Sequence, residues 1–517
     1  MHSLGRHDKG FVDFGSYVII VVGVVRQLVR LGISDVGMEG FQQLSGGLLA
    51  HIQIGWINLT FRKGQIMKID KLFGKFILSA AGVAVSSSLL AVPSVDPASV
   101  TISQNQSTRL VTVQYKLTGD PAIVTIDFQT NNVGTWTSIG GEKYSQVIGD
   151  VNKLVNKIDE VSTIYWQPAK ADAWPNQNIA GENFRAVVKV WATNAPPPYM
   201  IVDLKDNPGK TRYYPSAEAI PGGITNDIYK TNLLAFRLVP ATLVTWKMGA
   251  NSEFGQRYPN PDYGKSGQPE YLDYNDKENK HNVTFTNDYY MGVYPVTQMQ
   301  HYLFSNQKPS ASTNNFPDTA IYPVESVIWT KLRGEHYTTG KKGDWPTGGH
   351  ELDAASILFK LRDKLNIPSL DLPTEAMWEY ACRAGTSTAT YAGNLTVETY
   401  NGEDPVLNRI AWYQANSGGH THPVGMKEAN QWGFYDMLGN VFEFVLDRTT
   451  TVMSKEDVID PPGTTEGGQY PNRGVRGGSW NSIAYRVRAA YRAGEYGHAA
   501  GKNYVGYRLC CEAMALK

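Results

Sequence analysis

Cysteine is almost absent: Cys382, Cys510 and Cys511 are the three in 517 residues. That is too few for a disulfide scaffold, and their spacing matches no paired CxxC zinc ribbon, so at most one bridge is left open. Net charge is absent too, because 48 Lys and Arg cancel 48 Asp and Glu. With no global field to gather phosphates or anionic lipid, nucleic-acid binding has no electrostatic support. The chain also lacks a P-loop, an HExxH pair and a nucleophile elbow. Gly477-Gly478-Ser479-Trp480-Asn481 stops short of the elbow's final glycine. No repeat of solenoid or propeller period is present.

What is present is ordinary globular material, 42% hydrophobic and 19% charged, on a chain long enough for two or three domains. Fifty glycines and 11% aromatics suit loop-rich domains in which tight turns alternate with aromatic packing. Residues 1–94 read as a leader. Met67 opens a basic stretch (Lys68, Lys71, Lys75), followed by an apolar run from Phe76 to Leu90 and a small residue, Ala91. This is the pattern of a secretory signal peptide, with translation expected to begin at Met67 and cleavage near Ala91. Neither this run nor Tyr17–Val25 has the length of a comfortable bilayer span. The mature chain is therefore expected to be exported, to the periplasm, cell surface or medium, without a membrane span.

Residues 95–206 alternate apolar and polar in short runs, as in Leu110–Tyr115 and Ala122–Phe128, with turn residues at Gly119-Asp120-Pro121 and Asn131-Asn132-Val133-Gly134. Period-two alternation predicts half-buried strands, here a small β-sandwich of immunoglobulin or fibronectin type. Pro196-Pro197-Pro198 and the turn-rich text near Pro221-Gly222-Gly223 suggest a linker, placed at 207–229. The remainder, 230–517, reads as α+β. One helix is expected from a Thr297/Gln300 capping box with Met299, Tyr302 and Leu303 on one face, a second over about Leu352–Leu365, and a third from Thr374 to a stop at Gly385. Beyond Gly385, turns dominate.

Within this last domain a series of blocks occurs in order. They are Met248-Gly249 with Tyr289–Thr297, then Tyr322–Trp329, LPTEAMWEYACRAG (372–385), AWYQANSGGHTHPVG (411–425), GFYDMLGNVFEF (433–444), VRGGSWN (475–481) and VGYRL (505–509). Together they resemble the sulfatase-modifying-factor (formylglycine-generating enzyme) family, over some 280 residues. The resemblance implies the glycine-rich variant of the C-type-lectin-like fold. Read without it, the blocks are mainly structural: Trp378, Trp412, Phe434, Phe442 and Trp480 supply apolar area, and Gly439, Gly477, Gly478 and Gly506 permit turns. Fold alone does not carry function.

The resemblance also implies sites. The family's oxidases hold copper with two cysteines shortly after RGGS, where the soft ion requires thiolate. Here Ser482 and Ala484 stand at the nearest positions, so copper is not expected. A cysteine matching Cys382 often pairs with one after the last G-[FY]-R strand in exported members, which implies a structural bridge from Cys382 to Cys511, or to Cys510. The loop from Asp436 to Glu443 matches a calcium loop, with side-chain oxygens of Asp436 and Glu443 and carbonyls of Gly439 and Val441 as ligands. The plainer alternative pairs Glu443 with an arginine such as Arg486. His420 and His422 read as hydrogen-bonded loop histidines rather than zinc ligands, and Arg486, Arg488, Arg492 and Arg508 as partners of buried carboxylates.

Two functions follow. One is a non-catalytic module for an extracellular protein or glycan, binding through Trp480, Tyr485, Tyr491, Tyr496, Asn503 and Tyr504. Such residues make adaptable contacts at low entropic cost, and the segment is similar to the variable regions of diversified C-type-lectin-like proteins. The other is a formylglycine-generating-type oxidase, or a related enzyme, acting on sulfatase polypeptides.

Overall fold

The computed structural model describes residues 92–140, 147–168, 179, 183–206, 209–250, 278–311, 318–334, 352–396, 402–448, 455–462, 472–496 and 501–513. All fall in one compact unit, Val92–Lys517. The expected signal peptide and the start at Met67 lie outside the described residues. Among the described residues, no helix is long and apolar enough to cross a membrane.

The first strands are β1 (Ser94–Val95), β2 (Thr101–Gln104), β3 (Val111–Thr118), β4 (Ala122–Asn132), β5 (Thr135–Ser138), β6 (Val147–Gly149), β7 (Lys153–Val155), β8 (Val161–Trp166) and β9 (Phe184–Ala192). They form two antiparallel sheets: β1-β3-β8-β6 with β2 also on β3, and β5-β4-β7 with β9 also on β4. In β3, Val111, Val113, Tyr115 and Leu117 are buried while Gln114 and Lys116 are exposed, which is the period-two alternation of a half-buried strand. Both sheets feed one apolar cluster, in which Phe128 of β4 stacks on Trp166 of β8 at 4.4 Å.

The strands β10 (Tyr199–Asp203), β11 (Thr211–Tyr214), β12 (Leu233–Val239), β13 (Val244–Met248), β14 (His281–Phe285) and β15 (Tyr289–Gly292) follow. Here the pairing departs from the boundaries read in the sequence. β10 falls inside the expected sandwich segment and β11 inside the expected linker 207–229, yet β11 pairs with β10 and β10 with β12. The reason is burial: Tyr199, Met200, Ile201 and Val202 are all covered, so this run belongs in a sheet interior and not at the end of a half-exposed one. Nor is the proline triplet free. Tyr290 Oη donates to the Pro197 carbonyl at 2.5 Å, Arg237 Nη1 donates to that of Pro198, and Ile123 of β4 shares an apolar cluster with Met200, Val202 and Tyr213.

Five α-helices are described: α1 (Gln298–Ser305), α2 (Trp329–Arg333), α3 (Ile357–Leu365), α4 (Glu375–Arg383) and α5 (Pro405–Ile410). The capping box on α1 forms as expected; the residues it buries fully are Gln298, Gln300 and His301, while Leu303 of the apolar face packs partly buried against the core. Gln300 Nε2 donates to the carbonyls of Tyr229 and Leu233, so hydrogen bonds from its side-chain amide fasten this face to the 3-10 turn Asp227–Lys230 and the start of β12. α3 starts at Ile357, five residues after the expected Leu352, because the Ser356 hydroxyl caps it. α4 runs as expected from the Thr374 cap, turning left-handed at Ala384 and Gly385. α5 was not expected; its Asp404 cap and Pro405 at the first turn were the available signal.

The last strands are β16 (Phe442–Arg448), β17 (Val458–Ile459), β18 (Asn472–Arg476), β19 (Arg492–Tyr496), β20 (Val505–Tyr507) and β21 (Cys510–Glu512). They complete three sheets, β11-β10-β12-β15-β21, β13-β14-β17 and β19-β18-β16-β20. The architecture is sheet-rich and mixed, with few helices. Its interior also holds carboxylate and arginine pairs: Glu375 with Arg492, Glu379 with Arg383 and Arg476, Glu278 with Arg488, Glu443 with Arg508, and Asp371 with Arg333 and Arg362. The arginine fork suits such sites, since two parallel N–H bonds offset part of the cost of burying charge.

Candidate functional site

The turn leading into β16 gathers three loops. Asn440, fully buried, donates its backbone N–H to the Trp412 carbonyl at 2.7 Å and accepts from Trp480 N at 2.8 Å on its own carbonyl. Its side chain brackets His422, with Oδ1 accepting from His422 N at 3.1 Å and Nδ2 donating to His422 O at 3.0 Å. Gly439 beside it has φ +77°, and a Cβ there would lie 2.4 Å from the Trp412 carbonyl oxygen. Only glycine allows that approach.

The four expected calcium ligands lie in this turn, but not as one open shell. Glu443 is engaged already: Arg508 Nε and Nη2 hold both of its oxygens, and Trp378 Nε1 donates to Oε2 at 2.7 Å. This corrects its assignment as a free ligand; its arginine is Arg508, not Arg486. Asp436 is buried and accepts Gly425 N–H at 2.6 Å and a long 3.5 Å contact from Asn440 Nδ2. Burial pushes its carboxyl up to about 6, although the Gly425 bond, Arg508 and Asn440 pull the other way. The carbonyls of Gly439 and Val441 accept no hydrogen bond among the described residues. Also among the described residues, no three His, Cys, Asp or Glu side chains converge as a metal cluster.

Where the family's oxidases place thiolates, Ser482 is 2% and Ala484 6% exposed. The Ser482 hydroxyl accepts from Ser479 N at 3.0 Å and lies 3.1 Å from the Ser479 hydroxyl, whose second neighbour is Asn481 Oδ1 at 2.7 Å. Hydroxyl and methyl groups are poor donors for a soft ion, so these positions do not fit copper. The three thiols are buried and free. The expected bridge from Cys382 to Cys511 is absent, because Cys382 and Cys510 pack in one apolar cluster while Cys511 faces another. Adjacent residues of a strand point to opposite faces. Burial pushes the Cys382 thiol up to about 12 and raises Cys510 and Cys511 as well.

Of the expected binding surface, Trp480 is half-buried and ties its Nε1 to the carbonyl of exposed Asn503 at 2.9 Å. Half-buried Tyr504 meets Phe442 edge-on at 6.4 Å, and half-buried Tyr485 meets Tyr491 edge-on at 6.0 Å. Tyr491 itself is only 5% exposed and belongs to the core, so it leaves the surface. Tyr496 lies in β19, its side chain outside the described residues. The loop histidines bond as expected: His420 Nδ1 donates to the Thr421 carbonyl and His422 Nε2 to that of Ser417, each at 2.7 Å. Sequence reasoning missed Trp412, Lys427 and Asn440 as members of this site. Asn following Gly, a pair prone to left-handed turns, was the one signal for Asn440.

The profile of the FGE-sulfatase family, the sulfatase-modifying factor enzyme 1-like domain, matches residues 250–513. The chain is similar to the formylglycine-generating enzyme of Mycobacterium tuberculosis, 44% identical over 103 residues, 18% of this chain and 31% of that one. It is similar to the formylglycine-generating enzyme of Bos taurus, 31% identical over 203 residues, 37% of this chain and 50% of that one. A third relative is the chaperone protein LppX of Paenibacillus barcinonensis, 30% identical over 200 residues, 33% and 64% of the two chains. The matches thus span from about a third to just under two-thirds of these relatives' own length. Among solved structures, Treponema denticola variable protein 1 is similar at a TM-score of 0.40 and 22% identity, over 54% of this chain and 95% of that one. Since the family profile covers just over half of the residues, the chain belongs to the sulfatase-modifying factor enzyme 1-like domain family.

Proposed function

We propose that the protein is an exported, non-catalytic member of this family: a C-type-lectin-like domain that binds an extracellular protein or glycan, joined to an immunoglobulin- or fibronectin-type sandwich. The observation that carries the reading is the donor chemistry after Gly478. Ser482 and Ala484 offer no sulfur, and the three thiols of the chain are buried with raised proton affinity. A thiolate is the form that binds copper or attacks a substrate, and none is favoured here. Binding then falls to the surface of Trp480, Tyr485, Asn503 and Tyr504. Indole and phenol rings give broad contact with few torsions to freeze.

A second reading, a formylglycine-generating-type oxidase acting on sulfatase polypeptides, is favoured by the names of the M. tuberculosis and Bos taurus relatives. One assay separates the two. The protein is incubated with copper, reductant and a peptide bearing the sulfatase cysteine motif, and aldehyde is sought by mass spectrometry. No aldehyde is expected, and its formation would replace the binding reading with the enzymatic one. A glycan and surface-protein array with wild type and Trp480→Ala then tests recognition; binding that survives the substitution unchanged rejects this surface.

Calcium belongs to the same proposal. Asp436 and the carbonyls of Gly439 and Val441 are hard oxygen donors, and a bound cation would offset the cost of a buried, poorly compensated carboxylate. Glu443 is left out of the donor set, since Arg508 and Trp378 hold both of its oxygens. With so few protein donors the affinity is weak, so millimolar calcium is expected to raise the melting midpoint by a few degrees. The scale is roughly 2–4 °C per kcal/mol of linkage. Asp436→Asn abolishes the response; a midpoint indifferent to calcium and chelator in the wild type removes the site.

A further inference from the structure

A ladder of rings and charges runs beside the Trp480 loop. Lys427 Nζ sits 3.9 Å from the centroid of the Trp412 ring, the His422 ring stacks at 3.8 Å and 16° on Trp412, and the His420 ring follows at 4.5 Å and 35°. We propose that His422, clamped between Trp412 and His420, is a proton-operated latch that holds the 411–425 loop against the Trp480 loop and releases it in mild acid.

The geometry gives His422 two routes to Trp480. Its Nε2–H donates to the Ser417 carbonyl at 2.7 Å, and the Ser417 hydroxyl donates to the Trp480 carbonyl at 2.7 Å. Its backbone is gripped by the Asn440 amide, and the Asn440 carbonyl receives Trp480 N–H. Displacing the imidazole therefore loosens the partners of both the N–H and the carbonyl of Trp480. Nε2 carries a hydrogen in either protonation state, so an added proton goes to Nδ1; the Ser417 bond is kept and strengthened, and opposes release.

What changes is charge. The titratable and charged groups around His422 are His420 on its outer side, Lys427 on the far face of Trp412, and Asp436 beyond Asn440. Lys427 cannot easily withdraw, because its ammonium donates to the Asn408 carbonyl at 2.6 Å. An imidazolium gains some attraction to the indole face, but Lys427 already occupies the opposite face. Burial, then His420 and Lys427, hold the His422 ring below its ordinary proton affinity, against the raising effect of the Ser417 bond. A depressed folded value means the neutral latch contributes fully above the unfolded imidazole range, about 6.5, and its contribution is lost as pH falls below it. For the ligand surface the consequence is weaker capture in acid, which rests on the binding reading; the latch itself does not.

The test is hydrogen–deuterium exchange of the full chain at about pH 7.5 and about pH 5, each corrected for intrinsic rates. Protection of peptides covering 411–425 and 479–482 is expected to fall several-fold in acid, while the 111–118 and 357–365 peptides hold theirs. His422→Phe keeps a ring on Trp412 that cannot titrate and is expected to flatten the response. His420→Ala, at an exposed position, removes the neighbouring imidazole and is expected to give a smaller loss than wild type. An acid response equal to wild type in His422→Phe, or none in wild type, overturns the latch. Should His422→Phe fail to fold, an undiminished loss in His420→Ala overturns it instead.

Discussion

Arg508→Met is expected to destabilise the fold by about 3–5 kcal/mol, read from the midpoint of a denaturant titration. Arg508 is fully buried and holds both oxygens of Glu443, which is 1% exposed. It also donates through Nη1 to the carbonyls of Gly292 and Val293 and through Nη2 to that of Tyr435. Methionine fills much of the volume but leaves a buried carboxylate with Trp378 as its remaining donor, and three carbonyls lose a partner. The control is the pair Arg508→Met with Glu443→Gln. Removing the stranded charge is expected to recover part of the loss, so the double variant is more stable than the sum of the single changes implies. Strict additivity would mean that the two groups do not act as a pair.

Gly439→Ala is expected to cost roughly 2–4 kcal/mol, combining left-handed strain with a clash. At φ +77° its new Cβ would meet Trp412 O at 2.4 Å and Trp412 N at 2.8 Å, both backbone atoms that cannot rotate away. Gly134→Ala isolates the strain: φ is +84°, but nothing lies within 4 Å of a Cβ there, so about 1 kcal/mol is expected. Equal losses at the two positions would show that the packing of the 439 turn against Trp412 adds nothing. Because Trp412 carries the His422 stack, the indole emission of Gly439→Ala should shift as well.

Much of the architecture was legible locally. The Thr297/Gln300 box and the Thr374 cap are short-range devices, as is the alternation in β3, and each formed where the spacing put it. What the sequence hid depends on distant partners. The pairing across residue 206 was hidden because β10 takes its partner from β12, some thirty residues on, and turn-rich text around Pro221 looks the same in a linker or between two paired strands. Glu443 and Arg508 are 65 positions apart, and periodicity cannot choose Arg508 over Arg486. Tyr491 was read as surface from its composition, whereas burial against Phe442 and Tyr485 decides its place. The candidate site was readable as a set of motif blocks; the convergence of Trp412, His422 and Trp480 on Asn440 was not, because three separate loops supply it.

The clamped proline triplet has a mechanical consequence. Tyr290 and Arg237 are fastened to the carbonyls of Pro197 and Pro198, and Ile123 shares an apolar cluster with residues of β10 and β11, so the junction is tied by both backbone and side chains. Wherever strands β1–β9 are held, the sheet of β10, β12 and β15 is held with them. Strands β1–β9 are then a bracket for the sheets that follow, and not a tether on which those sheets swing.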